Sequence, residues 1–414
     1  MGGSHARIDG GNIRGGNVSV NVPYKAEHEQ MAKELVEETR ANGGLAPVDI
    51  DRFWADDEEA RKNPFGKNIP QVPFGAKLTH ECVFDELGVE EDMWRYGHDR
   101  EWRLKLNKEY NEKSLEIVGR KLLPETLPEP DMHYRYYALN DVFEAENEWH
   151  AGSWWLQQVA SNEQELEALL DRVDKKDIPS IILPDDWEEQ KKRLSAAGVK
   201  MPLYRGQRGP VTFAASIYGS ENLIELVLLN PELAQRFNDT ILRVMLEIGK
   251  LIDAEAGYAP EERPRGFAFC DDNCVLMTPE MYQIMGYGVL KGMFDYYSPD
   301  PGNGRFQHSD SAMGHLLPQL GELGLTACNF GPTVMPDEIR EHLPKAVIHG
   351  QLAPFTYSRN EEENIVMEFL RDFEMTKESR GLIFGCAGSI NNGTRLTSMR
   401  LAMATIQRYG RYDN

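Results

Sequence analysis

The sequence predicts an α/β fold, a (β/α)8 TIM-like barrel with an N-terminal helical extension. In the last third of the chain, short apolar runs at 266–272, 304–310, 325–329, 346–351 and 382–386 each end in a polar or metal-capable residue. Helix-patterned segments at 311–323, 336–342 and 361–374 lie between them. A buried strand, a polar residue at its C-terminal end and a returning helix form the unit of such a barrel. Its catalytic groups sit at the C-terminal ends of several different strands. A chain of 414 residues accommodates a barrel and an extension without a second core.

Residues 1–23 are rich in Gly, Asn and Ser and predict a flexible arm. Residues 24–41 carry helical periodicity through Ala26, Met31, Ala32, Leu35 and Val36 and stop at Gly43 and Gly44. Helices are expected over 91–111 and 112–122, followed by Pro124, Pro128 and Pro130, which mark the entry into the barrel. The extension is therefore assigned to 24–130 and the barrel to 131–414. Residues 132–139, with Tyr134, Tyr136 and Tyr137, have the composition of a first barrel strand. A helix over 162–173 has Asn162 placed to cap it ahead of Glu163 and Glu165. Residues 180–183 read as a short β-like run and 202–205 as a better strand, followed by the run 208–214. Residues 223–229 and 231–251 read as helices, with Pro231 suited to a first turn. Trp149, Trp154 and Trp155 fall in a stretch with no clear element, and no internal repeat is visible.

Composition narrows the function classes. With 45 Lys and Arg against 67 Asp and Glu, the net charge is −22. That disfavours nucleic acid, whose binding rests on neutralising phosphates with cations. Five cysteines, at 82, 270, 274, 328 and 386, suggest a reducing cytoplasm rather than a disulfide scaffold. No apolar run approaches the roughly 18 residues of a membrane span, and no secretory leader is evident.

Several strand-end residues carry chemistry. His308, Asp310 and Cys386 offer an imidazole, a carboxylate and a thiolate, a set able to hold Zn²⁺ with one position left for substrate. The competing account is a hydrogen-bonded histidine and a packed cysteine. The stretch Cys270-Asp271-Asp272-Asn273-Cys274 is dense in ligands, but no second cysteine pair accompanies it. One of its acids is expected to face inward, where burial could raise its pKa and suit it to proton transfer. Arg205, Arg208, His349 and Gln351 lie at or beyond strand ends, and an arginine there could grip an anionic oxygen. Each of these alone is more often structural, His349 least so. His5, His28, His80, His98 and His342 read as solvated. Dinucleotide, P-loop and serine-hydrolase signatures are missing.

Taken together, the residues resemble the uroporphyrinogen decarboxylase superfamily. The likeness is carried by Arg208-Gly209-Pro210-Val211-Thr212-Phe213-Ala214, Asn230-Pro231-Glu232-Leu233-Ala234 and Asp271-Asp272 with Met277-Thr278-Pro279-Glu280-Met281-Tyr282. The His308 motif, Val347-Ile348-His349-Gly350 and Cys386 with the final helix complete it. It covers about 200–410 well and 130–200 loosely. The resemblance implies a TIM-like barrel with one of two chemistries: cofactor-free decarboxylation of uroporphyrinogen, or zinc-dependent methyl transfer to or from a corrinoid on a small partner protein. In the methyltransferases the zinc motif is His-x-Cys…Cys. His308 and Cys386 fall on its first and last positions, and Asp310 replaces the middle cysteine.

A carboxylate in place of a thiolate leaves a harder zinc, matched to an oxygen ligand rather than a thiol. The expectation is therefore a methyltransferase component of an O-demethylase. It would move a methyl group from an aryl methyl ether to cob(I)alamin on a partner corrinoid protein, with zinc on His308, Asp310 and Cys386. Asp271, Asp272 and His349 are the candidate catalytic groups. Arg205, Gln351, Asn329 and Tyr134 are candidates for substrate contact, with Trp154, Trp155, Tyr136 and Tyr137 as further aromatic lining. Asp271, Asp272 or Cys270 remain alternatives as zinc ligands, and a homodimer is compatible. The alternatives in function are a cofactor-free decarboxylase and a non-catalytic tetrapyrrole-binding barrel. The arginine-rich segment of the decarboxylases has no counterpart beyond His133-Tyr134-Arg135-Tyr136-Tyr137.

Overall fold

The computed structural model describes residues 23–150 and 152–412. The expected arm lies almost wholly outside the described residues. A two-stranded hairpin, β1 (Asn147–His150) and β2 (Ser153–Leu156), stands apart from the main sheet. That sheet has six strands in sequential order: β3 (Gly206–Arg208), β4 (Phe267–Cys270), β5 (Arg305–Ser309), β6 (Ala327–Phe330), β7 (Val347–Leu352) and β8 (Leu382–Cys386). Every pairing is parallel, so all six C-terminal ends share one edge. Five of these strands coincide with the apolar runs that end in polar residues. Helices return the chain between strands, among them Pro231–Glu255, Tyr287–Tyr297, Pro336–His342 and Glu362–Thr376. No helix among the described residues is long and apolar enough to cross a membrane.

The ladder extends past β8 through a segment expected to belong to the extension. Phe74 bridges Phe384 in parallel, with Phe384 N donating to Pro73 O at 2.8 Å and Gly75 N to Phe384 O at 2.6 Å. Pro73 has no N–H to offer, which suits a sheet edge. A Cβ on Gly75 would come within 2.8 Å of Ile383 Cγ2, and one on Gly385 within 2.9 Å of the Gly75 carbonyl carbon. Two glycines thus let the backbones close up. Among the described strands no hydrogen-bonded pairing joins β3 to this segment, so the ladder itself is open.

Several local expectations are corrected. Residues 132–139 form no strand: Tyr134 packs with Trp187 and Leu194 in a small side cluster, and Tyr137 N donates to Ile182 O at 2.8 Å. The apolar run at 180–183 belongs mostly to the helix Ile178–Ile182, with Pro179 in its first turn. The strand expected at 202–205 forms instead at 206–208, and the run 208–214 leaves it at Gly209 to enter the helix Pro210–Tyr218, because Pro210 presets the first helical turn. By contrast Asn162 caps Glu163–Val173, accepting from Glu165 N. His28, expected on a solvated face, is buried with Nε2 3.3 Å from Glu374.

Arg205 precedes β3 and so lies at the sheet end opposite the candidate catalytic residues. It donates to Asp253 Oδ1 at 2.7 Å, to Pro264 O and to Tyr204 O, and its guanidinium lies 4.2 Å from the Tyr297 ring centroid. Its donors are thus spent on structure rather than substrate. Arg205→Ala would strand Asp253, which is buried. The expected loss is about 3 kcal/mol in urea unfolding, since removing one member of a buried pair leaves the other charge uncompensated.

Candidate functional site

The two adjacent acids after β4 face different surroundings. Asp271 is fully buried, and its Oδ1 accepts from Thr212 N at 2.8 Å in the first turn of Pro210–Tyr218. A side chain at Gly209 would overlap its carboxyl group. Burial pushes its pKa up to about 6. Asp271 therefore anchors a helix start. Asp272 is only half-buried, and its Oδ1 accepts the Asp310 backbone N–H at 3.1 Å. The same oxygen lies 3.7 Å from His308 Nε2.

His308 sits one position before the end of β5, in register with Asn329 on β6. Asn329 Oδ1 lies 2.7 Å from His308 Nδ1 and accepts Gly388 N–H at 3.2 Å. Its Nδ2 donates to the His349 and Cys386 carbonyls. Those two carbonyls fix the amide orientation, so the oxygen faces His308. Nδ1 must then carry a proton, which leaves Nε2, on the Asp272 side, as the ring nitrogen free to face a ligand. Metal-binding histidines are oriented in this way, through the ring nitrogen that does not bind.

Asp310 completes the cluster. A Cβ on Gly388 would fall 2.6 Å from Asp310 Cβ, and Gly388 has φ of 96°. Glycine there allows the loop after β8 to close over the acid. Burial, and then repulsion from Asp272, raise the Asp310 pKa. The ligand atoms of Asp272, His308 and Asp310 all lie within 4.8 Å of one another. One nitrogen and two carboxylates suit a divalent cation, zinc included. Cys386 does not join this group: its thiol donates to Ser389 O at 3.4 Å, and burial raises its pKa to about 12.

A cavity of about 330 Å³ lies along β6, β7 and β8, reaching Asn329 and Gly388, which touch His308 and Asp310 of the cluster. Asn329, His349, Cys386, Lys77, Thr79 and Glu81 line it. Burial first, then Arg61 and Lys77, lower the His349 pKa, so its ring is neutral at pH 7. Asn329 thus reaches the cavity, as expected of a contact residue. Gln351 does not: it is buried and donates to Gly331 O and Val334 O, holding the turn after β6. Tyr134 lies in its side cluster, and Tyr137, Trp154 and Trp155 are exposed. The expected aromatic lining is therefore absent from this cavity.

No protein-family model matches the chain, and neither does any curated protein. Among solved structures, a methyltransferase from Methanosarcina mazei is similar in fold, with a TM-score of 0.49 at 16% identity. The match covers 84% of this chain and 96% of that one.

Sequence reasoning missed Lys77, Thr79 and Glu81. The signal was available, because Val72-Pro73-Phe74-Gly75-Ala76 is another short run that ends in polar residues. Pro73 hid it.

Two tests follow from this geometry. Asp271 has a folded-state pKa above its unfolded value, so its contribution to stability is full below about pH 4 and is lost as pH rises through about 6. Asp271→Asn keeps an acceptor for Thr212 N. In chelator-treated protein it should remove a decline of up to about 3 kcal/mol across that window, read from urea melts at stepped pH. Metal analysis separates the two possible ligand sets. Asp272→Asn should lower bound zinc sharply, whereas Cys386→Ser should retain it; the reverse pattern would restore Cys386 as the third ligand.

Proposed function

We propose that this protein is a metal-dependent methyltransferase whose parallel sheet forms the wall of a TIM-like barrel. Its substrate is an aryl methyl ether, and the methyl acceptor is cob(I)alamin carried by a partner corrinoid protein. What chiefly supports this reading is the Asp272–His308–Asp310 cluster, set at neighbouring strand ends with the imidazole oriented by Asn329. Bound there, a divalent cation would supply Lewis acidity to an ether oxygen and help a phenolate leave. A donor set of two carboxylates and one imidazole is harder than a thiolate set, which favours oxygen over sulfur in the methyl donor.

The remaining residues have distinct tasks. Asn329 keeps the His308 proton on Nδ1, so that Nε2 stays available as a ligand. Asp310 N–H holds Asp272 Oδ1 in place. His349, neutral and partly buried in the cavity wall, can donate an N–H to the departing oxygen without presenting a charge of its own. Ile383 and Ile390 supply apolar surface for an arene. The exposed side of the cavity leaves the methyl group open to an approaching nucleophile.

The test is methyl transfer from methoxyphenols to free cob(I)alamin, followed by the absorbance change of the cobalt centre. His308→Ala should reduce the rate by at least about 100-fold with folding intact. Chelation should abolish turnover and zinc should restore it. Protein that contains no zinc and transfers no methyl group from any methoxyarene would sink the proposal, as would turnover indifferent to chelation.

A further inference from the structure

A second cavity, of about 520 Å³, lies on the outer side of the 72–79 segment. It is bounded by the helix Ile50–Lys62, the helix Arg100–Val118 and the loop 120–124. Arg61, Lys77, Arg103, Arg120 and Lys121 line it, against a single acid, Asp57. Both oxygens of that acid are engaged: Oδ1 accepts Phe74 N at 2.7 Å and Oδ2 accepts Arg61 Nε at 2.7 Å. In a chain of net charge −22, such a concentration of cations is not a sample of the average surface.

These cations are not equally free. Arg120 pairs with Glu58 and lies 4.1 Å from the Trp54 ring centroid, and Lys121 pairs with Glu125. Lys77 and Arg103, in contrast, meet no carboxylate among the described residues. Arg103 stands over the Tyr96 ring at 5.1 Å, is hydrogen-bonded to the Tyr96 side chain, and has its Nε buried. A guanidinium fixed in this way loses little freedom when its remaining N–H groups meet a carboxylate.

The rest of the wall is largely apolar: Leu122, Leu123 and Pro124 offer surface in front of the buried Trp54, Phe74, Leu78 and Met399, and Thr79 and His80 are its polar members. The volume falls within the range of small-molecule sites, where apolar walls bind the body of a ligand and a few polar groups fix its orientation. A bare inorganic anion would leave those walls wet.

We propose that this cavity binds an organic carboxylate with a small apolar body, its carboxylate held by Lys77 and Arg103 and its body laid against Leu122, Leu123 and Pro124. The site is separate from the Asp272–His308–Asp310 cluster and does not depend on the function proposed for it. Lys77 and Thr79 line both cavities, so occupancy here is felt at the wall of the other.

The probe is benzoate, titrated calorimetrically into the full chain. The expected Kd is about 1 mM, as befits so small a ligand. Benzyl alcohol, of the same shape without the charge, should bind at least about tenfold more weakly, and so should inorganic phosphate. Lys77→Met and Arg103→Met should each weaken benzoate by about tenfold or more. Lys77 is exposed and makes no hydrogen bond among the described residues, so its variant is expected to fold even if the Arg103 variant does not. Chelator treatment should leave benzoate affinity unchanged. Equal binding of benzoate and benzyl alcohol, phosphate binding as tightly as benzoate, an unaltered Kd in Lys77→Met, or loss of binding on chelation would each overturn the proposal. Failure of methyl transfer alone would leave it standing.

Discussion

One carboxamide holds the candidate site together. Asn329, nearly buried at the end of β6, contacts His308 on β5 and the carbonyls of His349 on β7 and Cys386 on β8, and accepts the N–H of Gly388 beyond β8. A parallel ladder alone sets the spacing of neighbouring strands but says nothing about side chains at its open edge. The amide converts that spacing into a fixed tautomer, a fixed ring plane and a fixed loop. Each of its bonds is worth only about 1 kcal/mol net, but a buried partner left unsatisfied costs more. Four contacts on one residue therefore make the arrangement cooperative, and disturbing any strand end disturbs the others.

Around that hub two carboxylates are held closer than their charges favour. Burial first, and then repulsion from Asp272, raise the pKa of Asp310. The structure resists their separation at two points: the Asp310 N–H bonds to Asp272, and Gly388 closes over Asp310. Adjacent acids that are braced rather than allowed to part, beside an imidazole, form a site whose repulsion a cation would relieve. The deeper acid is handled differently. Asp271 is aimed at a helix start, where the backbone N–H of Thr212 meets it, so one dipeptide serves both a ligand cluster and a fold anchor.

Much of this was legible in the sequence, and the reason is periodicity. Strands β4 and β8 are nearly continuous apolar runs and β6 and β7 begin as apolar ones, because both faces of a parallel sheet are covered, and each turns polar where the chain nears the open edge. His308 and Asp310 were readable by their place in that series, although in β5 only Phe306 is apolar. Asp272 was readable only as one of two neighbouring acids; which of them turns inward depends on Gly209, across a long gap in sequence. Arg205 and Gln351 misled because a polar residue near a strand says nothing of which end it occupies or whether a carbonyl already claims it. Residues 132–139 misled because aromatic β-type composition measures fitness for a half-buried surface, and here that surface is the small cluster around Trp187.

The segment 72–79 shows how a single misplaced element alters the account of function. Read as part of a helical extension, it contributes nothing to the site. Laid along β8, it carries the chain out at the C-terminal edge, so Lys77, Thr79 and Glu81 arrive where substrate-facing residues belong. Pro73 and Gly75 are the cause of both outcomes. They obscure strand propensity in the sequence, yet in the fold they permit the close, one-sided pairing that an edge position allows. A segment held by so few ladder bonds is positioned chiefly by packing of Phe74 between the sheet and Phe53 and Trp54 of the helix Ile50–Lys62. The ring contacts between Phe74 and the helix Ile50–Lys62 thereby also set where Lys77 stands between the two cavities.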